Sequence, residues 1–172
     1  MTLRLERWQD GDLALLEAAN TPEMTRHLGG PETADQLADR QARYLRGWET
    51  GESRMFRIVD GSDVAGSIGW WSTRWRGEKV HETGWFVLPS AQGRGIAAAA
   101  VPLLVDDVLR AGRLPLLVAF PNVENAASNR VCERSGFTHA GIEDFPFRGT
   151  TLHCSVWTMP LTYPPRPARR SA

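Results

Sequence analysis

Glu82, Ser128 and a pair of glycines, Gly93 and Gly95, are the residues whose types and spacing bear on chemistry. The glycines lie in E-T-G-W-F-V-L-P-S-A-Q-G-R-G-I-A, residues 82–97, where a strand over 79–88 is predicted to run into a turn that opens a helix over 94–111. The first N–H groups of a helix have no intrahelical partner, and glycine puts no side chain between them and a ligand. Such a turn suits a phosphate or pyrophosphate. A P-loop is excluded, because it requires a Lys after its glycines and none follows here. Gly93-Arg94-Gly95-Ile96-Ala97-Ala98 does satisfy the G-x-G-x-x-G/A pattern of dinucleotide sites. That design also wants an acidic residue at the end of the next strand, and the strand predicted over 115–120 ends in Pro121-Asn122. Glu82 alternates onto the same strand face as Gly84 and Phe86, close to the turn, which makes its carboxylate a candidate general base. His81 is a rival with a more suitable intrinsic pKa, though it points to the opposite face.

A second motif follows at residues 122–137, N-V-E-N-A-A-S-N-R-V-C-E-R-S-G-F, and the two together carry a resemblance. Gln92, Gly95 and Ala97 match the Q-x-x-G-x-A pyrophosphate loop of the GNAT superfamily of N-acetyltransferases, and the preceding residues 82–89 resemble its RimJ/RimL-type branch. Asn125, Ser128, Val131, Glu133, Arg134, Gly136 and Phe137 match the N-x-x-S-x-x-[VL]-x-E-[KR]-x-G-F helix of the same family. The likeness is strong over about residues 55–160 and loose before them. It implies an α/β (α+β) domain with a central mixed, mostly antiparallel sheet that splays in the middle, and acetyl-CoA as co-substrate without a metal. Gln92, Gly93, Arg94, Gly95, Ile96 and Ala97 would then meet the pyrophosphate. Val87 and Leu88 would offer main-chain groups to the pantetheine, as would the Asn125 side chain, and Ser128 would lie near the CoA sulfur. The implied reaction is acetyl transfer to a primary amine, on a peptide N-terminus or a small molecule, by direct attack in a ternary complex. A homodimer is common in the branch.

Each assignment has a plainer reading beside it. Glu82 could be an exposed strand carboxylate paired with a base, and Ser128 or Asn125 a helix-start cap. A protein with the loop but without catalysis would be an acyl-CoA-binding sensor or assembly module; the presence of both Glu82 and Ser128 favours the enzyme. The acceptor is less legible. Of seven tryptophans, Trp8, Trp85 and Trp157 are expected in the core, and Trp48, Trp70 and Trp75 are expected to line an acceptor pocket. Alternation sends Trp70 and Trp71 to opposite faces, so at least one of them must be packed away. Glu49, Glu52 and Glu78 are too few for a polycationic acceptor, which favours an apolar or aromatic amine or a peptide N-terminus.

Length and composition bound the rest. At 172 residues and 42% hydrophobic, the chain is expected to be one globular domain over residues 1–163, followed by a disordered Pro/Arg tail over 164–172. Its net charge of zero provides no field to draw it to nucleic acid or a membrane. Cys132 and Cys154 form no disulfide framework, the first eight residues alternate like a strand rather than a secretory h-region, and no apolar run reaches a membrane span. A reduced, cytoplasmic setting is the expectation.

To position these residues the pattern predicts a strand over 2–7, helices over 10–20 and 33–47 with a turn of helix after Pro22, and strands over 54–60 and 63–72 joined at Gly61. After the glycine turn come the helix over 94–111, stopped by a left-handed Gly112 and bent at Pro102, the strand over 115–120 and a helix over 125–135. Strands over 137–145 and 151–160 complete the fold.

Overall fold

The computed structural model describes residues 2–163; the tail expected over 164–172 lies outside them. The elements run β1 (Leu3–Arg7), α1 (Leu13–Ala19), α2 (Pro22–Thr25), α3 (Ala34–Thr50), β2 (Ser53–Asp60), β3 (Asp63–Trp75), β4 (Glu78–Val87), α4 (Ile96–Ala111), β5 (Leu116–Ala119), α5 (Ala126–Arg134), β6 (Thr138–Phe147) and β7 (Thr150–Pro160). They form one seven-stranded sheet in the order β1-β2-β3-β4-β5-β7-β6. Every neighbouring pair is antiparallel except β4 and β5, which α4 joins as a crossover helix. This is the mixed, mostly antiparallel α/β sheet expected from the sequence.

Two cores sandwich the sheet. On one face Phe56, Ile58, Ile68 and Trp70 pack with Ile96, Ala100, Leu104 and Val108 of α4 and with Cys132 of α5. On the other, Met55, Trp71 and Phe86 pack with Trp8, Leu16, Leu37 and Tyr44 of the α1–α3 layer. Alternation along β3 therefore sends Trp70 to the α4 face and Trp71 to the α1–α3 face. The buried indoles of both cores are paired: the Trp8 N–H donates to Gln41 Oε1 at 2.6 Å, and the Trp70 N–H to Asp107 Oδ2 at 2.9 Å.

Two glycines act differently from expectation. Gly47 does not end α3; a Cβ there would meet Ser53 Oγ at 1.8 Å, so its smallness admits the first residue of β2, and the helix ends at a left-handed Gly51 (φ 74°). Gly112 follows α4 as expected but is extended (φ −72°, ψ 175°), and a Cβ there would sit 2.6 Å from His81 Nε2. Close packing, not a left-handed turn, accounts for it. α4 runs unbroken through Pro102.

Candidate active site

β4 and β5 pair only at His81↔Leu117 and Glu82↔Val118. Beyond Glu82, β4 continues to Val87 while β5 stops at Ala119, so the sheet forks at Glu82. The Leu88 N–H donates to Ala65 C=O at 2.8 Å; by the antiparallel alternation, Phe86 and Gly84 also turn their main-chain groups to β3. Thr83 closes the ladder with β5, and Trp85 and Val87 therefore direct their main-chain groups into the fork. Leu88 differs from the expected pantetheine contact, because its N–H is taken by Ala65 and its C=O accepts the Ala91 N–H at 2.8 Å.

The glycine turn stands at the open end of β4. Gly93 and Gly95 are both left-handed (φ 74°), a conformation that side chains other than glycine adopt only with strain, and a Cβ at either would face open space. Among the described residues, no main-chain hydrogen bond uses an N–H between Gly93 and Ala98, whereas the Ala99 N–H returns to Gly95 C=O. Ile96 and Ala97 bury their side chains in the core, and no main-chain acceptor takes their N–H groups. The Gln92 side chain folds back to donate to Val87 C=O at 2.9 Å, tying the turn to the strand. Arg94 forms an ion pair with Asp60. These free donors at a helix start, joined to a cleft lined by unpaired strand amides, fit a pyrophosphate followed by an extended amide-bearing arm.

At the fork, Glu82 faces the α1–α3 layer. Its register partner Trp71 donates its indole N–H to Glu82 Oε2 at 3.1 Å. Burial pushes the Glu82 pKa up to about 7, while the Trp71 hydrogen bond holds it down in part. A carboxyl group with that value accepts a proton near neutral pH. His81 is on the opposite face and 3% exposed. Its Nε2 accepts the N–H groups of Arg113 (3.1 Å) and Leu114 (3.2 Å), and burial lowers its pKa to about 4. It secures the chain after α4 and does not reach the acceptor face.

α5 begins beyond the C-terminal end of β5, so two helix starts flank the fork. Asn125 caps α5, its Oδ1 accepting the Ser128 N–H at 3.0 Å, and Ser128 lies half-buried in the first turn. Asn129, which sequence reasoning passed over, ties α5 down by donating to Asn122 and Asn125 carbonyls and accepting the Trp157 indole N–H at 2.8 Å.

The aromatic assignments change. Trp70 is 1% exposed in the α4-side core and lines no pocket. Trp48 lies between the guanidiniums of Arg7 and Arg54, each 4.9 Å from its ring, and donates to Met55 C=O, so it is a packed residue too. Trp75 is half-buried on the same β3 face as Trp71: it donates to Glu143 Oε2 at 3.0 Å and neighbours Phe120, which in turn packs against Phe145. Trp71, absent from the expected set, is the tryptophan that touches Glu82. The register that pairs residues 71 and 82 was its only available signal.

Comparison with known proteins agrees with this geometry. The acetyltransferase (GNAT) domain family matches residues 2–138. The chain belongs to that family. It is an acyl-CoA-dependent N-acetyltransferase by this membership. No curated protein matches it in sequence. Among solved structures, an acetyl transferase from Salmonella typhimurium that modifies the N-terminal serine of a ribosomal subunit protein has a similar fold, with TM-score 0.77, 18% identity, and 94% of this chain and 96% of that one covered. A spermidine N-acetyltransferase from Vibrio cholerae, solved with CoA and spermine, gives 0.74 and 18% over 92% and 95%. An aminoglycoside acetyltransferase solved with coenzyme A gives 0.76 and 20% over 92% and 95%. Among the described residues, no helix is long and apolar enough to cross a membrane, and no three His, Cys, Asp or Glu side chains gather as a metal site.

Proposed function

We propose that this GNAT protein transfers an acetyl group from acetyl-CoA to a primary amine by direct attack in a ternary complex, in the manner of the RimJ/RimL-like branch. The observation that carries the reading is the fork at Glu82, where a carboxyl group poised near neutral pH lies between the free donors at the start of α4 and the capped start of α5. Acetyl-CoA supplies the activated acetyl group. The N–H groups from Gly93 to Ala98 hold its pyrophosphate, with main-chain groups of Trp85, the Val87 N–H and the Asn125 side chain along the pantetheine. Glu82, directly or through a water, takes the proton from the acceptor ammonium so that the amine lone pair is free to attack. Ser128, at the start of α5, gives a hydrogen bond or proton to the departing sulfur, where the helix start already favours negative charge. Trp71 and Trp75 line the approach of the acceptor.

The branch assignment draws support from the ribosomal-protein acetyltransferase fold described above, and a peptide N-terminus or a small amine both suit an opening walled by aromatic residues. An acyl-CoA sensor without catalysis is disfavoured by the pKa of Glu82, which a binding module would have no use for. Thiol release from acetyl-CoA, followed against peptides, amino acids, polyamines and aminoglycosides, tests the proposal. Stoichiometric thiol and acetylated amine are expected; tight acetyl-CoA binding with no turnover on any acceptor would overturn it in favour of the sensor.

A further inference from the structure

The turn between β6 and β7 folds back onto the start of α3. There Arg148 stacks its guanidinium 4.7 Å over the Phe147 ring and forms a 2.6 Å ion pair with Glu32. Arg40 of α3 forms an ion pair with the other oxygen of the same carboxylate. The Glu32 side chain is 5% exposed, and Asn20 holds its main chain with two 2.8 Å hydrogen bonds. Arg43 is exposed and has no carboxylate partner among the described ion pairs, yet its charge bears on Arg40, on Arg148 and on Tyr44. Three guanidiniums thus gather around Tyr44 with one carboxylate among them. A clamp that only pinned the hairpin would need one arginine for that carboxylate. Two arginines on that carboxylate and an exposed third beside them leave an excess of positive charge at this corner, to which an anionic group is drawn.

The cluster shares a face with the reacting group. Tyr44 packs in the same core as Trp71, whose indole holds Glu82. β6 leads from Glu143, bonded to Trp75 beside the fork, to Arg148 five residues on, a path of roughly 16 Å at about 3.3 Å per residue. An extended peptide covers that distance in about four or five residues. Guanidinium groups present their donors as planar forks that match carboxylates.

We infer that the acceptor is the N-terminus of a peptide carrying an acidic side chain within its first few residues, and that Arg40, Arg43 and Arg148 read that carboxylate. The inference rests on the acetyl transfer proposed above and narrows its acceptor. A polyamine or an aminoglycoside would bring positive charge against the arginines.

Isothermal titration of the CoA-loaded protein with three hexapeptides tests it, the peptides sharing their N-terminal residue and carrying Glu, Gln or Lys at the fourth and fifth positions. The acidic peptide should bind about 10-fold more tightly than the neutral one, with the preference shrinking as salt is raised. Arg43→Glu leaves the Glu32 clamp intact and should bring the acidic-to-neutral ratio to about one or below, while Arg148→Gln should lower it roughly 3- to 10-fold. Undetectable binding of the acidic peptide, equal affinity for all three, or a ratio unmoved by Arg43→Glu would overturn the inference. Those results would leave the transfer reaction standing wherever neutral acceptors still release thiol. Selective binding of the acidic peptide without thiol release would uphold the reading of its carboxylate by the arginines and overturn its role as acceptor together with the transfer.

Discussion

A carboxyl group becomes a useful base at neutral pH when its surroundings make charge costly, and Glu82 has that character: burial raises its pKa to about 7 against a partly opposing hydrogen bond from Trp71. Glu82→Gln keeps the shape and removes the base. With Glu82 as the proposed base, kcat should fall by roughly 10² to 10⁴ while acetyl-CoA affinity stays, as steady-state kinetics and calorimetry would record. The same shift predicts a stability effect of definite sign. The folded protein holds this proton more tightly than the unfolded chain, so stability falls as pH rises from about 4.5 through about 7. Glu82→Gln should therefore be more stable than wild type at pH 8, by roughly 1–3 kcal/mol, with no gain at pH 4. Trp71→Phe removes the one donor that favours the ionised form, and the acid limb of kcat/KM should move up by about half to one pH unit. Ser128 adds one donor at a helix start that already favours an anion, so Ser128→Ala should lower kcat by only about 10- to 10²-fold. An unchanged rate would reduce its hydroxyl to helix-start solvation. Glu82 was legible because alternation and its distance from the glycine turn both point at it. Trp71 was not, because four tryptophans lie on β3 and β4 and only the cross-strand register says which one meets the carboxylate.

At the scale of elements, local sequence rules located most strands and helices, and the exceptions share a cause. The helix predicted over 33–47 ends at Gly47 and Gly112 reads as a helix stop, but each is glycine because another element comes too close for a Cβ: Ser53 in one case, His81 in the other. Nothing within a few residues of either position reports that approach. The β6–β7 hairpin is similar, since its attachment to the start of α3 through Arg148 and Glu32 joins segments more than a hundred residues apart. Glu32→Gln would leave two guanidiniums facing each other with little solvent access. It should destabilise the protein by about 2–4 kcal/mol in denaturant titrations. With the hairpin on the proposed acceptor side, the acceptor KM should rise while the KM for acetyl-CoA holds; an equal rise in both would mean that the hairpin supports the whole fork.

For the whole molecule, the fork between β4 and β5 is the feature that a ligand would exploit, because it leaves strand amides and a helix start unpaired along one continuous path. Acetyl-CoA at about 100 times its Kd should stabilise the protein by roughly 2.7 kcal/mol, or about 5–10 °C in Tm for a domain of this size. On the proposed binding mode, in which backbone N–H groups provide the donors, EDTA should leave that shift unchanged. Gly95→Val forces a branched side chain into a left-handed position at the pyrophosphate turn, and should lower the Tm of the free protein while abolishing the acetyl-CoA shift. A variant that kept the shift would remove the turn from the site.

The sequence by itself determined the glycine turn, the order of most elements and the family, because these depend on φ preferences, alternation and motifs that act within a few residues. Tertiary structure decided which main-chain groups face the fork, excluding Leu88 and admitting Trp85, because that depends on the register between β3 and β4. It also decided that Trp70 and Trp48 are packed and that Trp71 attends Glu82, and it brought Arg40, Arg43 and Arg148 together. Faces of a strand are periodic in sequence, but which face is buried against which helix, and which distant charge completes a cluster, follows only from the way the layers close on one another.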